Sequence, residues 1–328
     1  MPHAAVPDRR AAGTPDARPA HPLAASVAKI DRAVKLLSFQ VREEPPVQPD
    51  PLMHDGDSAP WIECDHALSD PAFFPRWRAR VSRWLFEQYS YASHSQVSQS
   101  RDASRTQVAD KTRAVAAVPE ETTGGYVLQW YLIIPSYLGA LLFHSARRVP
   151  VLEPWRLSFR LDPVVLREVA LRPGRFWCLS DDPDATHPDA VPVHKEAALG
   201  AILRQQVISH ATRFLAVYGR QVRFGHRTKW ATVTDILDSG LLLAGRTFGS
   251  PQAGASDARL VLGCGEKPLT SASTIYEVTD DRGRTHWTRR RESCCFLYAL
   301  PGIERPCASC PRLRDADRAQ IYGTLDPR

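Results

Sequence analysis

RRRESCCFLYALPGIERPCASCP, residues 289–311, is the stretch on which the reading of this chain turns. It carries four of the chain's seven cysteines as two tight pairs: Cys294-Cys295, eleven intervening residues, then Cys307-Ala308-Ser309-Cys310. Four thiolates can hold one tetrahedral zinc, or a [2Fe–2S] cluster with two thiolates on each iron. Neighbouring side chains diverge from an extended backbone, so Cys294 and Cys295 do not converge on one small ion as cysteines two to four apart do. A two-iron cluster is a larger target and accommodates the adjacent pair better. Plainer readings stand beside it. A structural zinc fits the ligand type. A disulfide is opposed by the strain of a vicinal bridge and by the lack of any mark of secretion. A thioredoxin-like dithiol at Cys307 and Cys310 is opposed by the lack of a surrounding βαβ pattern. Cys64, Cys178 and Cys264 stand alone and read as small buried apolar residues.

The run R-R-R-x-S-C-C-F-x-Y-x-L-P-G from Arg289, followed by C-x-x-C-P from Cys307, resembles the C-terminal signature of the FhuF-type ferric-siderophore reductases. The gap between the pairs is one residue longer than the family's usual spacing, a difference that a loop holding Pro301, Gly302 and Pro306 absorbs. A fainter resemblance in helical pattern and element order runs back to about residue 61, and the first sixty residues carry none. The resemblance implies a [2Fe–2S] cluster on Cys294, Cys295, Cys307 and Cys310. It also implies one-electron reduction of Fe(III) held by a siderophore, of hydroxamate type, taken up from outside.

The chemistry is consistent with that expectation. Siderophores hold Fe(III) through hard oxygen donors and hold softer Fe(II) far less tightly. Each tenfold difference in affinity lowers the bound iron's potential by about 59 mV, so the donor must be strongly reducing. All-thiolate plant-type clusters lie near about −400 mV, below centres with histidine ligands. No histidine lies between Cys294 and Cys310. The chain shows no GxGxxG after a strand and no flavin motif, so electrons are expected from an external donor such as a ferredoxin or a flavin reductase. Arg289, Arg290 and Arg291 lead directly into the first pair and are candidates for docking a substrate or partner. Two other classes remain open: a non-catalytic Cys₄ site, zinc or iron–sulfur, stapling an accessory protein of siderophore metabolism, and an iron–sulfur regulator.

The composition sets the frame. Net charge is +6, with 42 Lys and Arg against 36 acids, and nearly all the cations are arginine. No base-stacking aromatic array accompanies them, so no nucleic-acid partner is expected. No apolar run of signal-peptide length follows Met1, and iron-ligating thiolates need a reducing compartment; the expected location is the cytoplasm. Tyr126–Phe143, YVLQWYLIIPSYLGALLF, is the most apolar stretch, but Gln129, Pro135 and Ser136 interrupt it and it is short for a bilayer span. It reads as a buried helix pair or a Pro-kinked helix. No transmembrane span is expected, and the chain is compatible with peripheral association with a membrane.

The expected fold is mostly α with a small β portion (α+β): a helical body, then a short hairpin and a C-terminal iron–sulfur segment. Residues 1–60 read as a disordered or linker tail, with helical spacing only from Ser26 to Val41. Residues 61–255 read as the body with a small β insertion, and 256–328 as the cluster-binding segment. Within the body, residues 70–91 read as a helix and 94–118 as a polar loop. Trp155–Leu161 alternates with period two and reads as a strand, with Arg175–Leu179 as its partner. His187 and His194 read as loop histidines with no third ligand near. Helices are expected at Glu196–Tyr218 and Thr228–Ala244, closed by Gly219 and Gly245, followed by a linker near 249–257. Thr274–Val278 and Thr285–Arg291 read as a hairpin across Asp280-Asp281-Arg282-Gly283.

Overall fold

The computed structural model describes residues 20–43, 60–97, 118–300, 303 and 306–325. It is an α+β fold of helices with three small sheets. The apolar run at 126–143 lies inside one helix, α4 (Glu120–Ala146), which passes unbroken through Pro135. A helix that is apolar on all sides must be enclosed, and α4 is: every residue from Ile134 to Phe143 is buried. It is long and apolar enough to cross a membrane, yet 78% of its most apolar window is covered by the rest of the protein.

Around α4 pack α3 (Phe73–Val97), α5 (Glu196–Val217), α6 (His226–Thr247) and α7 (Pro251–Leu262). Gly245 does not close α6, as the sequence suggested, but lies within it. A Cβ there would sit 2.7 Å from the Cα of Gly254 on α7, so the two glycines let the helices cross in backbone contact. The expected linker at 249–257 is therefore the turn and first half of α7, with Ser250 accepting the Ala253 N–H and Pro251 in the first turn. Nor does Gly219 terminate α5: a single 3₁₀ turn, Tyr218–Arg220, follows the helix.

The short α2 (Cys64–Ser69) precedes α3, and most of the polar loop expected at 94–118 lies outside the described residues. One sheet has the order β1 (Ser38–Val41), β5 (Val165–Leu171), β4 (Leu157–Asp162), β2 (Ile62–Glu63). Strand β4 alternates as expected, with Leu157, Phe159 and Leu161 buried. Its partner is not residues 175–179 but β5, reached directly through a turn at Pro163-Val164. The expected partner is β6 (Phe176–Leu179), which pairs in a second sheet with β3 (Arg148–Pro150) and β7 (Ala190–Val193).

The expected tail also needs correction. Helix α1 (Pro22–Ala33) starts four residues before Ser26, capped by His21, and residues 38–41 are strand rather than helix. Leu23, Val27, Ile30 and Phe39 are at most 2% exposed, and β1 lies parallel to β5. Asp31 ties the two elements, accepting bonds from Ser38 Oγ at 2.8 Å and Phe39 N–H at 2.7 Å. The apolar spacing that looked too sparse for a core suffices because two short elements share it.

Beside α4, His210 on α5 is fully buried. Its Nδ1 donates to the Leu152 carbonyl at 2.6 Å, and its Nε2 accepts from the Tyr131 hydroxyl at 3.2 Å. Burial pushes its pKa down to about 4.

Two outcomes are expected. A protein lacking residues 1–60 loses six core side chains, Leu23, Val27, Ile30, Val34, Leu37 and Phe39, worth about 1.5–3 kcal/mol each, enough to consume most of a stability of about 5–15 kcal/mol. Circular dichroism should show no cooperative melt for it; a parent-like melt would contradict the packing of α1 and β1. The second concerns pH. The folded-state pKa of His210 lies below the unfolded value, so below about pH 6.5 the unfolded chain binds more protons and stability falls as pH drops toward 4. Denaturant titrations should show a smaller loss between pH 6.5 and 5 in His210→Asn than in the parent.

Candidate metal centre

The hairpin is where the sequence placed it: β8 (Ile275–Thr279) pairs with β9 (Thr285–Arg289), and the chain then runs directly into Cys294 and Cys295. What fixes that run is a carboxylate the sequence reading passed over. Asp235 on α6 is 1% exposed; its Oδ1 accepts the Glu292 N–H at 2.8 Å, and its Oδ2 accepts the Ser293 N–H at 2.8 Å and the Ser293 hydroxyl at 2.5 Å. One turn along, Asp238 accepts from Ser273 Oγ and from Thr274 N–H and Oγ1, anchoring the start of β8. Burial raises the Asp238 carboxyl above its usual range. The available signal was two acids three apart, the only acids of this helix, set among its apolar residues Val233, Ile236 and Leu237.

The arginines expected to dock a partner are placed otherwise. Arg289 and Arg291 are 8% and 6% exposed and turn inward onto Asp235, at 3.7 and 3.6 Å. Arg290 faces the opposite side, as strand alternation requires, but it is engaged with Asp315 at 2.9 Å. A docking role for Arg289 and Arg291 is ruled out by their burial: a partner cannot reach them.

The second pair is held from another direction. The Cys310 N–H donates to the Cys307 carbonyl at 2.8 Å, closing a tight turn, and the Arg291 N–H donates to the Ser309 carbonyl at 3.0 Å, joining the two cysteine segments. Helix α8 (Asp315–Leu325) supplies Arg318, whose fully buried guanidinium donates to the carbonyls of Ala308 at 2.7 Å, Cys310 at 3.2 Å and Leu313 at 3.0 Å. From the inner side the first turns of α4 close over the first pair. Thr122 Oγ1 donates to the Phe296 carbonyl at 3.3 Å, and Phe296, in the left-handed region at φ 56°, stacks on Phe224.

The thiol geometry tests what the site can hold. Cys295 Sγ and Cys307 Sγ are 3.7 Å apart. Two thiolates on one tetrahedral ion at about 2.3 Å must lie about 3.8 Å apart, so this pair is spaced to share one ion. Cys294 feels the charges of Cys295 and Cys310, and burial raises its pKa. Yet among the described residues no three of the thiols lie within 4.8 Å of one another. A single tetrahedral zinc would need all four that close; a two-iron cluster needs only pairs. The hydrogen bond from Cys307 holds the Cys295 thiol down to about 6, and Cys307 is raised in return. The other cysteines are elsewhere: Cys64 and Cys178 are buried in the body as expected, whereas Cys264, also expected to be buried, is exposed just after α7.

A second cluster has ligand-type residues. His187 does have neighbours, contrary to expectation: its ligand atom lies within 4.8 Å of those of His21 and Asp189. However, Nδ1 of His21 accepts the Leu23 N–H and Nδ1 of His187 accepts the Asp189 N–H, each at 3.1 Å. The proton of each neutral ring is therefore on Nε2, which leaves no lone pair there for a cation. His194 bonds Ser180 at 3.0 Å.

Compared with known families, residues 291–312 match the model of the FhuF 2Fe-2S C-terminal domain, and all four cysteines fall inside the match. No curated protein matches the chain. The match points to a [2Fe–2S] cluster, with which the thiol spacing is compatible, and to a FhuF-like protein connected with siderophores.

Asp235→Ala should strip the cluster although no ligand is changed. It strands two buried guanidinium groups and three donors, a loss of about 3–5 kcal/mol. Iron and sulfide analysis should show cluster content well below the parent's; full occupancy would mean the ligand loop does not depend on this carboxylate.

Proposed function

We propose that the protein is a ferric-siderophore reductase acting in the cytoplasm, with Cys294, Cys295, Cys307 and Cys310 as cluster ligands. The observation that carries this reading is the match of residues 291–312 to a [2Fe–2S] domain, with all four cysteines inside it and one thiol pair already at the spacing of a shared ion. A [2Fe–2S] group held there supplies one electron at a time, the stoichiometry that Fe(III) to Fe(II) requires.

The protein's own residues prepare the site for that transfer. Asp235 fixes Glu292 and Ser293, so the adjacent cysteines are presented before any iron arrives. Arg291 places a buried positive charge within reach of Cys295 and Cys307; it adds to the Cys307 hydrogen bond in lowering the Cys295 pKa and partly opposes the rise at Cys307. The same charge offsets the negative charge that an added electron brings, less screened than it would be in water. Tyr126 of α4 lies within the electrostatic reach of both thiols, and burial raises its hydroxyl pKa, so it stays neutral and helps keep water from the inner side. The substrate is Fe(III) in a siderophore of hydroxamate type. Ferrous iron is held weakly by hard oxygen donors and leaves after reduction. The electron comes from a separate carrier, a ferredoxin or a flavin reductase.

The test is the full-length protein purified without oxygen. It should be brown, carry iron and sulfide in equal amounts, and convert a ferric trihydroxamate chelate to a trapped ferrous complex when supplied with a chemical reductant. Serine at any of the four cysteines should abolish or perturb the visible spectrum, and serine at Cys64, Cys178 or Cys264 should not. A colourless protein with one zinc would instead establish a non-catalytic staple.

A further inference from the structure

With Arg289 and Arg291 buried and Arg290 paired, the question of where an electron carrier lands is open again. The segment between the cysteine pairs supplies an answer. Tyr298, in the 3₁₀ turn Leu297–Ala299, is 41% exposed, one of a few large apolar-bodied side chains left in solvent. The guanidinium of Arg312 stands 5.0 Å from its ring centre. Arg312 is exposed and makes no ion pair among the described residues, whereas its neighbours are committed: Arg314 to Asp317, Arg290 to Asp315, Arg318 to backbone carbonyls. Arg312 stands two residues beyond Cys310, and Tyr298 three beyond Cys295. Among the described residues, an exposed cation without an ion pair therefore sits on an exposed aromatic ring close in sequence to both cysteine pairs.

We propose that Tyr298 and Arg312 form the docking surface for an acidic one-electron carrier protein, which delivers electrons to the site through this face. The inference rests on the reading under Proposed function. The occupant follows from charge and chemistry. An exposed guanidinium with no ion pair among the described residues attracts an acidic protein within about a Debye length. Tyr and Arg are the side chains that most often anchor such interfaces. The inner side of the thiols is closed by α4 and the arginine–Asp235 network, so the outer edge is where a partner can come near. One electron leaves the reduced carrier and enters the protein; the same electron then goes to siderophore-bound Fe(III). No bond forms or breaks in the docking step.

The experiment uses the cluster-loaded full chain and an acidic plant-type ferredoxin as probe. Affinity is measured by titration calorimetry, and transfer by stopped flow, at about 20 mM and about 300 mM salt. In Arg312→Glu, Kd at low salt should rise about tenfold or more, and the difference from the parent should shrink at high salt, as for a rim charge. Arg312→Lys should recover most of the affinity. Tyr298→Ser should weaken binding at both salt concentrations, because it removes contact area rather than charge. Visible spectra of all variants are compared first, so that a lost cluster is not read as lost docking. Parent-like Kd values in both Arg312→Glu and Tyr298→Ser, or a parent that does not bind the probe at low salt, would overturn the proposal. A parent that reduces the ferric chelate with dithionite but ignores the ferredoxin would sink only the docking surface. A parent that takes electrons from the ferredoxin yet reduces no ferric chelate would sink the reductase reading and leave the docking surface standing.

Discussion

The cysteine segment has its shape because one buried carboxylate accepts three of its donors. Asp235 receives the N–H groups of Glu292 and Ser293 and the Ser293 hydroxyl, and its remaining charge faces Arg289 and Arg291. A buried carboxylate is tolerated only with that degree of satisfaction, and buried guanidinium groups only with such a counter-charge. Each component requires the others. Because Asp235 lies on α6, which packs against α4 and crosses α7 at Gly245 and Gly254, the geometry of the thiols is set by helix packing rather than by the loop that carries them.

Helix α4 has two roles that pull its sequence in different directions. Its C-terminal half is enclosed by neighbouring elements and reads as almost continuous hydrocarbon. Its first turns, Glu120-Glu121-Thr122-Thr123-Gly124-Gly125, are small or polar because they approach other backbone. A Cβ on Gly125 would touch the Cys295 carbonyl at 3.9 Å, and one on Gly124 would meet Val222 at 3.0 Å. One rigid element thus spans from the core to the metal centre, so packing at one end bears on the other.

Much of this was legible in the sequence where the signal was local. The two cysteine pairs, the hairpin across Asp280–Gly283, the amphipathic helices and the period of β4 all follow from spacing within a few residues. The failures share a cause: each depended on a partner distant in sequence. Residues 22–41 looked too sparse for a core until β5, far along the chain, supplied the other half. Gly245 looked like a helix end because a glycine needed for close helix approach has the same letter as one needed for positive φ. Asp235 drew no reading because nothing within its own helix reveals that Ser293 will face it.

The arginines show the same limit and how structure resolves it. Nine arginines follow residue 283, and by composition all are one basic face. Physically they do different work. Arg289 and Arg291 neutralise Asp235, and Arg318 satisfies three carbonyls of the second cysteine turn. Arg284 answers Asp280, whose carboxyl is held far below its usual range first by the His286 hydrogen bond and also by Arg284. Cations spent on buried acids add little field at the surface, because each is cancelled within a few ångströms. A count of charges therefore overstates the attraction this face exerts. What a partner meets is what is left over after internal pairing, and in the cysteine segment, among the described residues, that includes Arg312 on the ring of Tyr298.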